Sequence, residues 1–381
     1  MLHLFHPALN REKILENIEE ILNNKIIADG DKVKEFEQKV GDYLAGLYSG
    51  TPCNIVALNS GTAALHIAYI LAGIKDGDEV ITPVLTCTAT THPILWLGAK
   101  PIFCDIQPDT LNIDPADIRK KITDKTKAIV VMHNGGLPCD MSEIMAIAEE
   151  YHLKVIEDAS QGFGGEYKGQ KLGTIGDYGC FSLQAIKLLT TGDGGLLYCK
   201  NDNDHKKAKQ LKWFGIDRDR QKERGSLVPS KFSKLFSQRA MTFDIEETGY
   251  KYNCNNILAS IGLANLEKIY DWLKQRKEFA EIYRQELRGV PGITLLKEVE
   301  GNSNWLFQIL VENRERFQKK MADAGIETNM VQVRNDIYAL FGGERQELPN
   351  MNKLEDKYCS IPLHNNLTKD DIYRICQTIK S

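Results

Sequence analysis

The chain has 381 residues, of which 42% are hydrophobic and 26% are charged, which is the composition of an ordinary globular protein. This length exceeds what one compact core usually holds, so two domains are expected. The net charge is −4 and no basic tract occurs, which argues against nucleic-acid and membrane-surface partners. The N-terminus lacks the pattern of a signal peptide, and no apolar run is long enough to cross a bilayer, so a cytoplasmic protein is expected.

The nine cysteines form no CxxC pair, and most of them lie within apolar, strand-like runs. Such thiols usually behave as small buried hydrophobic groups in a reducing compartment. We therefore expect neither a disulfide framework nor a zinc site, and the sequence predicts no metal centre.

Helical and strand patterns alternate through the first 158 residues. Helices are predicted at 10–23, 31–44, 89–97, 115–122 and 142–151, and strands at 55–58, 78–84, 100–105, 127–133 and 153–158. Short helices between apolar strands indicate right-handed crossovers and a mostly parallel sheet covered on both faces. Ligands of such sheets bind at the carboxyl ends of the strands.

After the first strand the chain turns through Ser60 and Gly61 into an apolar helix. The backbone N–H groups of Thr62, Ala63 and Ala64 would point out of the start of this helix, where the helix dipole favours a phosphate. Simple N-capping by Ser60 or Thr62 explains the same residues equally well.

Asp158 directly follows the strand predicted at 153–158 and therefore stands at a carboxyl end. A carboxylate in that position must be paired with a positive group or hydrogen-bonded. The alternative is that Asp158 only caps a following helix.

Lys187 lies in a short connection between strands predicted at 178–183 and 195–199, and Gly192, Gly194 and Gly195 close this connection. A lysine removed from water loses basicity, and its neutral amine is the form that attacks a carbonyl to give an imine. The alternative is a lysine whose ammonium group simply reaches the solvent.

After residue 199 the regular alternation of predicted strands and helices ends. Residues 200–238 are polar and include a long loop at 221–235, which is expected to be functional or mobile. A helical stretch at 257–287 is predicted to lead into a small α+β domain, with strands at 292–296, 304–311 and 359–363 and helices at 315–324 and 370–379. The domains are predicted as 1–255 and 256–381.

An imine-forming lysine, a strand-end aspartate and a phosphate site at a helix start are together the three contacts that pyridoxal 5′-phosphate requires. The residues that carry them resemble the DegT/StrS-type sugar aminotransferases over essentially the whole chain. The matching motifs, in chain order, are 59–65 (NSGTAAL), His133 with Gly136 and Asp140, 155–161 (VIEDASQ), 173–177 (GTIGD), Phe181-Ser182, Lys187, 192–195 (GDGG), Gly249-Tyr250 with 257–262, and 361–364 (IPLH).

This resemblance implies the fold of aspartate aminotransferase, with a large domain built on a mostly parallel sheet and a smaller C-terminal domain. It implies that Lys187 links covalently to the cofactor and moves the proton, that Asp158 pairs with the pyridinium and that Gln161 bonds the ring hydroxyl. It assigns the phosphate to Gly61, Thr62, Ala63 and Ser182, and it implies a homodimer with active sites shared across the interface.

Two departures from the family pattern bear on the site. Cys87 stands where the family usually offers an aromatic ring to the cofactor, and Lys251 replaces an asparagine that reaches the phosphate of the neighbouring subunit. A lysine can serve the same phosphate with more charge. In addition, Asn253 replaces an arginine and Phe163 replaces a histidine. These departures indicate a divergent subgroup.

The resemblance implies transfer of an amino group from L-glutamate to a nucleotide-linked keto-sugar, for a surface polysaccharide or an antibiotic. Sugar dehydratases of the same fold carry histidine at the lysine position, so Lys187 argues against that activity. The remaining alternatives are transamination of a free keto- or aldehyde sugar acid and a regulatory protein that keeps the fold without turnover.

Overall fold

The computed structural model describes residues 1–46, 53–217, 245 and 247–381, and the loop predicted at 221–235 lies outside these residues. Within the described ranges, seven strands form the main sheet, in the order β1 (Ile55–Leu58), β10 (Gly195–Cys199), β9 (Tyr178–Ser182), β6 (Lys154–Asp158), β5 (Thr126–Met132), β2 (Glu79–Pro83) and β4 (Lys100–Cys104).

The strands of this sheet run mostly in one direction. β9, β6, β5, β2 and β4 are paired in parallel, whereas β10 is antiparallel to both of its neighbours, β1 and β9. The predicted α/β fold with a mostly parallel mixed sheet is therefore confirmed. Because β5, β6 and β9 are adjacent and parallel, the residues that end them meet at one edge of the sheet.

The described helices cover the sheet and build the C-terminal region. They are α1 (Arg11–Asn24), α2 (Asp31–Ala45), α3 (Gly61–Leu71), α4 (Thr88–Trp96), α5 (Pro115–Lys121), α6 (Met141–Glu150), α7 (Asp202–Leu211), α8 (Asn256–Leu266), α9 (Ile269–Leu287), α10 (Arg314–Asp323), α11 (Pro349–Leu354) and α12 (Lys369–Lys380). No helix of the described chain is both long and apolar enough to span a membrane. Of the nine cysteines, which all lie in these ranges, seven are buried, Cys53 is half-buried and Cys87 is exposed.

Three helical regions differ from the expectation, and one of them is α11, which no predicted helix covers. α7 lies in a stretch whose sequence pattern is only polar, because just Ala208 and Leu211 of this helix are buried. The start of the helix does carry a signal: the Asn201 side chain caps it by accepting a hydrogen bond from Asp204 N at 2.9 Å. The predicted helix at 257–287 is two helices. Lys268 N bonds to Asn265 O, a tighter turn than an α-helix makes, and this turn separates α8 from α9.

The C-terminal region has its own core. In the described residues, β11 (Ile293–Leu295), β12 (Phe307–Val311) and β14 (Tyr358–Ile361) form a three-stranded antiparallel sheet against α9, α10 and α12. β13 (Val333–Arg334) leaves this core and pairs with β3 (Leu85–Thr86) beside the main sheet. The division at residue 256 stays a prediction; α8, which begins there, packs on α1 and α2. One further hairpin joins β7 (Glu166–Tyr167) and β8 (Gln170–Lys171).

The strand predicted at 304–311 begins only at Phe307. Asn304 has a φ of 53°, in the left-handed region, which interrupts the extended backbone before β12 begins. The residue that follows this turn, Trp305, packs with the core of the main sheet and contacts the segment that connects β9 to β10.

Candidate active site

Lys187 lies in a tight link between β9 and β10, as predicted. Thr191 N bonds to Leu183 O and Lys187 N bonds to Gln184 O, both at 2.9 Å, so the link closes on itself. Gly192 has a φ of 89° and Gly194 a φ of 148°, conformations that residues with a Cβ rarely adopt. The two glycines thereby allow a short connection that holds the lysine close to the sheet edge.

The amine of Lys187 is enclosed, although the residue as a whole is half-buried. Its Nζ atom lies 4.1 Å from the centre of the Trp305 ring. Burial lowers the pKa of this amine from 10.5 to about 8, and the nearby Asp158 and Cys87 act in the opposite direction. A large fraction of the amine is therefore neutral near pH 8, in the form that can act as a nucleophile or a base.

This lowered pKa can be measured directly. In the cofactor-free protein we expect trace acetylation of Lys187 to show a midpoint near pH 8, because burial disfavours the ammonium form, while exposed lysines should titrate near their ordinary value of 10.5. Peptide mass spectrometry across a pH series gives the midpoints of Lys187 and of surface lysines in one sample. A midpoint for Lys187 equal to that of the surface lysines would contradict the burial argument.

Asp158 ends β6 and is almost fully buried. Its Oδ2 accepts a hydrogen bond from Thr90 Oγ1 at 2.6 Å, and its Oδ1 accepts one from Ser160 N at 3.1 Å. Thr90 Oγ1 also lies 2.7 Å from Thr86 Oγ1. Turns, and not a helix, occupy residues 160–164, so the helix-cap interpretation of Asp158 is wrong. The carboxylate is held at the sheet edge on the same side as Lys187, whose pKa it influences.

Gln161 follows Asp158 by three residues and is also buried. Its Oε1 accepts a hydrogen bond from Gly135 N at 2.7 Å, and its backbone carbonyl accepts one from Ser303 Oγ at 3.0 Å. Among the described residues no acceptor faces its Nε2 group, which is left to donate to a ligand. The hydrogen bond from Gly135 N thus orients the side-chain amide, while the one from Ser303 anchors the backbone of the same residue.

The start of α3 meets the end of β9. A Cβ added at Gly61 would lie 3.0 Å from Ser182 Cβ, which is closer than side chains normally pack, so glycine favours this close approach. Ser60 Oγ accepts a hydrogen bond from Ala63 N at 3.0 Å, which confirms the capping interpretation for Ala63. In the described chain the N–H groups of Gly61 and Thr62 have no acceptor, and together with the half-buried Ser182 hydroxyl they can still bind a phosphate.

Substitution of Gly61 tests this arrangement. We expect Gly61→Ala to weaken pyridoxal phosphate binding about tenfold, because the added methyl forces α3 away from Ser182. A fluorescence titration of the cofactor-free protein measures the affinity, and thermal unfolding shows whether the fold as a whole is affected. Unchanged affinity would show that the start of α3 takes no part in binding.

Comparison with known proteins agrees with this geometry. The DegT/DnrJ/EryC1/StrS aminotransferase family matches residues 9–380. The chain belongs to this family. It is 32% identical to a GDP-perosamine synthase of Escherichia coli O157:H7, covering 99% of this chain and 97% of that protein, and 35% identical to the uncharacterized protein MJ1066 of Methanocaldococcus jannaschii, covering 99% and 96%.

Solved structures share the fold. The sugar aminotransferase CalS13 from Micromonospora echinospora superimposes with a TM-score of 0.89 at 32% identity, over 100% of this chain and 99% of that one. AtS13 from Actinomadura melliaura gives 0.88 at 33% identity, over 99% and 97%. The resemblance read from the sequence is confirmed, and the protein is an aminotransferase of the DegT/DnrJ/EryC1/StrS family.

The two departures from the family pattern occupy different places. Cys87 is exposed at the start of α4 and lies close enough to Lys187 to influence its pKa, so it belongs to the same site. The amine of Lys251 lies 3.9 Å from the centre of the Trp213 ring and contacts Asn253 Oδ1. Its backbone carbonyl accepts a hydrogen bond from Asn59 beside α3. A contact of Lys251 with a neighbouring subunit stays a prediction.

Sequence reasoning missed three contacts of this site. Trp305 covers Lys187, Thr90 holds Asp158, and Asn335 donates to Thr86 O at 2.7 Å and accepts from Thr91 Oγ1 at 2.8 Å. All three depend on packing between segments far apart in the chain. Thr90 is the one with a usable signal, because it lies near the start of a helix that follows a sheet strand.

Proposed function

We propose that the protein uses pyridoxal 5′-phosphate to move an amino group from L-glutamate to a nucleotide-linked keto-sugar. The observation that carries this proposal is the enclosed amine of Lys187, with a lowered pKa, beside the buried carboxylate of Asp158. A lysine in such surroundings is a nucleophile toward an aldehyde and a base near neutral pH.

The residues fit this cofactor. Lys187 would hold its aldehyde carbon, Asp158 its ring nitrogen and Gln161 its ring hydroxyl, while the start of α3 and Ser182 would hold its phosphate. When bound, the cofactor supplies an electron sink for the carbon that loses or gains the amino group. The close contact between Gly61 and Ser182 and the unused Nε2 of Gln161 are the features of this chain that a phosphate and a phenolic oxygen would satisfy.

In the proposed reaction the protein side chains have separate tasks. The neutral amine of Lys187 would take a proton from the carbon of the amino donor and pass it to the cofactor carbon within the same half-reaction, and it would carry a proton in the reverse direction, to the acceptor carbon, in the second half. The negative charge of Asp158, oriented by Thr90, keeps the ring nitrogen protonated. Trp305 and the C-terminal region exclude water from the lysine side of the pocket.

The choice of substrates rests on relatives of the chain. A Shewanella sediminis relative, 31% identical over 99% of this chain and 97% of its own length, is named UDP-4-amino-4-deoxy-L-arabinose--oxoglutarate aminotransferase. Oxoglutarate is the keto acid that glutamate leaves behind, which supports glutamate as the donor. The GDP-perosamine synthase and the Bacillus subtilis spore coat polysaccharide biosynthesis protein SpsC, 31% identical, support a nucleotide-linked sugar and a product used in a polysaccharide.

The test is transamination by the purified holoenzyme. With L-glutamate and a panel of UDP-, GDP- and TDP-linked keto-sugars, we expect one acceptor to change in mass by replacement of its carbonyl oxygen with an amine, and 2-oxoglutarate to appear in equal amount. Turnover only with free sugar acids would favour the first alternative, and no turnover with any acceptor would favour a regulatory protein.

The same proposal includes a cytoplasmic homodimer whose two sites are shared between subunits. Light scattering of the holoenzyme gives the assembly state. If Lys251 serves the neighbouring site, mixing subunits that carry Lys187→Ala with subunits that carry Lys251→Ala should recover activity that neither variant has alone. An active monomer would exclude shared sites.

A further inference from the structure

The indole of Trp305 contacts the lysine link twice. Its ring centre lies 4.1 Å from Lys187 Nζ, and its Nε1 donates a hydrogen bond to Ile186 O at 2.9 Å. The ring is only 2% exposed, and Phe5 stacks against it with 5.5 Å between ring centres. Trp305 is therefore hydrogen-bonded to the backbone at residue 186 and lies close enough to the neighbouring amine to interact with its charge.

A buried arginine fixes the turn that carries this indole. The Arg276 NH1 group, on α9, donates to Asn304 O at 3.2 Å, to Trp305 O at 3.1 Å and to Leu363 O at 2.8 Å. Burial lowers the pKa of Arg276 to about 9, and among the described residues no carboxylate pairs with it. Burying a guanidinium is costly unless its N–H groups are hydrogen-bonded. Any movement of the turn that broke these hydrogen bonds would leave buried donors unsatisfied, so the arginine holds the turn in one shape.

The face of an indole attracts an ammonium group but not a neutral amine. The attraction amounts to about 0.5–1 kcal/mol at exposed sites and more where water is excluded. At 4.1 Å from the ring centre, the protonated amine of Lys187 is in the range where this attraction acts. The other charged or titratable groups that influence the amine are Asp158, at the end of β6, and Cys87, at the start of α4.

We propose that Trp305 is a positioning residue that provides a resting place for the ammonium group of Lys187 whenever this amine is not bonded to carbon. This inference rests on the proposed function and adds a role for the C-terminal region to it. The indole holds the protonated lysine beside the pocket, and transfer of its proton to the reacting carbon leaves a neutral amine that the ring no longer attracts. The side chain that performs the chemistry is thus placed by a residue 118 positions further along the chain.

The experiment titrates Lys187 in the cofactor-free full-length protein. Four proteins are compared by trace acetylation over a pH series with peptide mass spectrometry: wild type, Trp305→Phe, Trp305→Leu and Phe5→Leu. The phenylalanine variant keeps a weaker aromatic face, the leucine variant keeps an apolar side chain without one, and Phe5→Leu removes packing on the indole while leaving the indole in place. Circular dichroism confirms that each protein is folded.

We expect the pKa of Lys187 to fall by about one unit in Trp305→Leu, because the ammonium form loses its attraction to the ring. At pH 7 this corresponds to a rise of about fivefold in the fraction of neutral amine. Trp305→Phe should give a smaller fall in the same direction, and Phe5→Leu should match wild type. If Trp305→Leu does not fold, Trp305→Phe decides the question.

An unchanged or raised pKa of Lys187 in the folded Trp305 variants would overturn the inference and leave the indole as a packing residue. An equal fall in Phe5→Leu would do the same, because the effect would then follow from packing. No cofactor or substrate is present in this measurement. Its outcome is therefore separate from that of the transamination assay, which tests the proposed function itself.

Discussion

The Lys187→Ala protein is expected to transfer amino groups at least about 10⁴-fold more slowly than wild type, because the substitution removes both the covalent anchor and the proton-transferring base. After treatment with borohydride, the wild-type protein should carry a phosphopyridoxyl group on the peptide that contains Lys187, and the variant should carry none. The measurements are release of 2-oxoglutarate and peptide mass spectrometry.

A matched control is Lys200→Ala, which removes an exposed lysine just after β10. This protein should keep the wild-type rate and the borohydride modification at Lys187. The assignment of Lys187 would be wrong if the Lys187→Ala protein turned over at a rate near that of wild type, or if borohydride fixed the cofactor on a different lysine.

Asp158→Asn is expected to lower the rate about 100-fold or more while the cofactor remains bound. The amide has nearly the same shape and can keep its contact with Thr90, but it carries no negative charge to hold a proton on the ring nitrogen. The measurements are kcat for the glutamate half-reaction and the cofactor content by absorbance. A fully active Asp158→Asn protein would be incompatible with the pyridinium role.

Thr90→Val accompanies this variant, because it keeps the charge of Asp158 and removes the hydroxyl that orients it. We expect kcat for the glutamate half-reaction to fall about tenfold in Thr90→Val, because a hydrogen bond to a charged group is lost. The double variant should lower kcat by less than the product of the two separate factors, since both substitutions act through the contact between Thr90 and Asp158.

The main sheet could be predicted well because its strands are apolar runs bounded by clear turn signals. β5, β6 and β9 each read as a buried strand, and helices separate most of the parallel strands. α7 was missed because a helix that buries only two side chains shows almost no apolar period. The end of α8 was missed because the turn at Asn265 depends on anchoring contacts, with Asn10 N and Thr190 O, that come from distant parts of the chain.

Some residues of the candidate site could also be predicted from the sequence, and others could not. Asp158, Gln161 and Ser182 follow strands of a parallel sheet, and Lys187 lies in a link between two strands, so their shared edge follows from topology alone. Trp305 and Asn335 reach that edge from the C-terminal region through a left-handed turn at Asn304 and through the pairing of β13 with β3. Neither contact leaves a periodic signal, since each is made by a single residue outside regular secondary structure.

The pairing of β13 with β3 has a consequence for biosynthesis. Chains emerge from the ribosome N-terminus first, and domains generally fold as units during synthesis. Lys187 and Asp158 appear early, but Trp305 and Asn335, which complete the walls around them, are among the last quarter of residues to be made. Until Trp305 is in place the amine of Lys187 lacks part of the burial that lowers its pKa, so the site acquires its reactive amine only once the polypeptide is nearly finished.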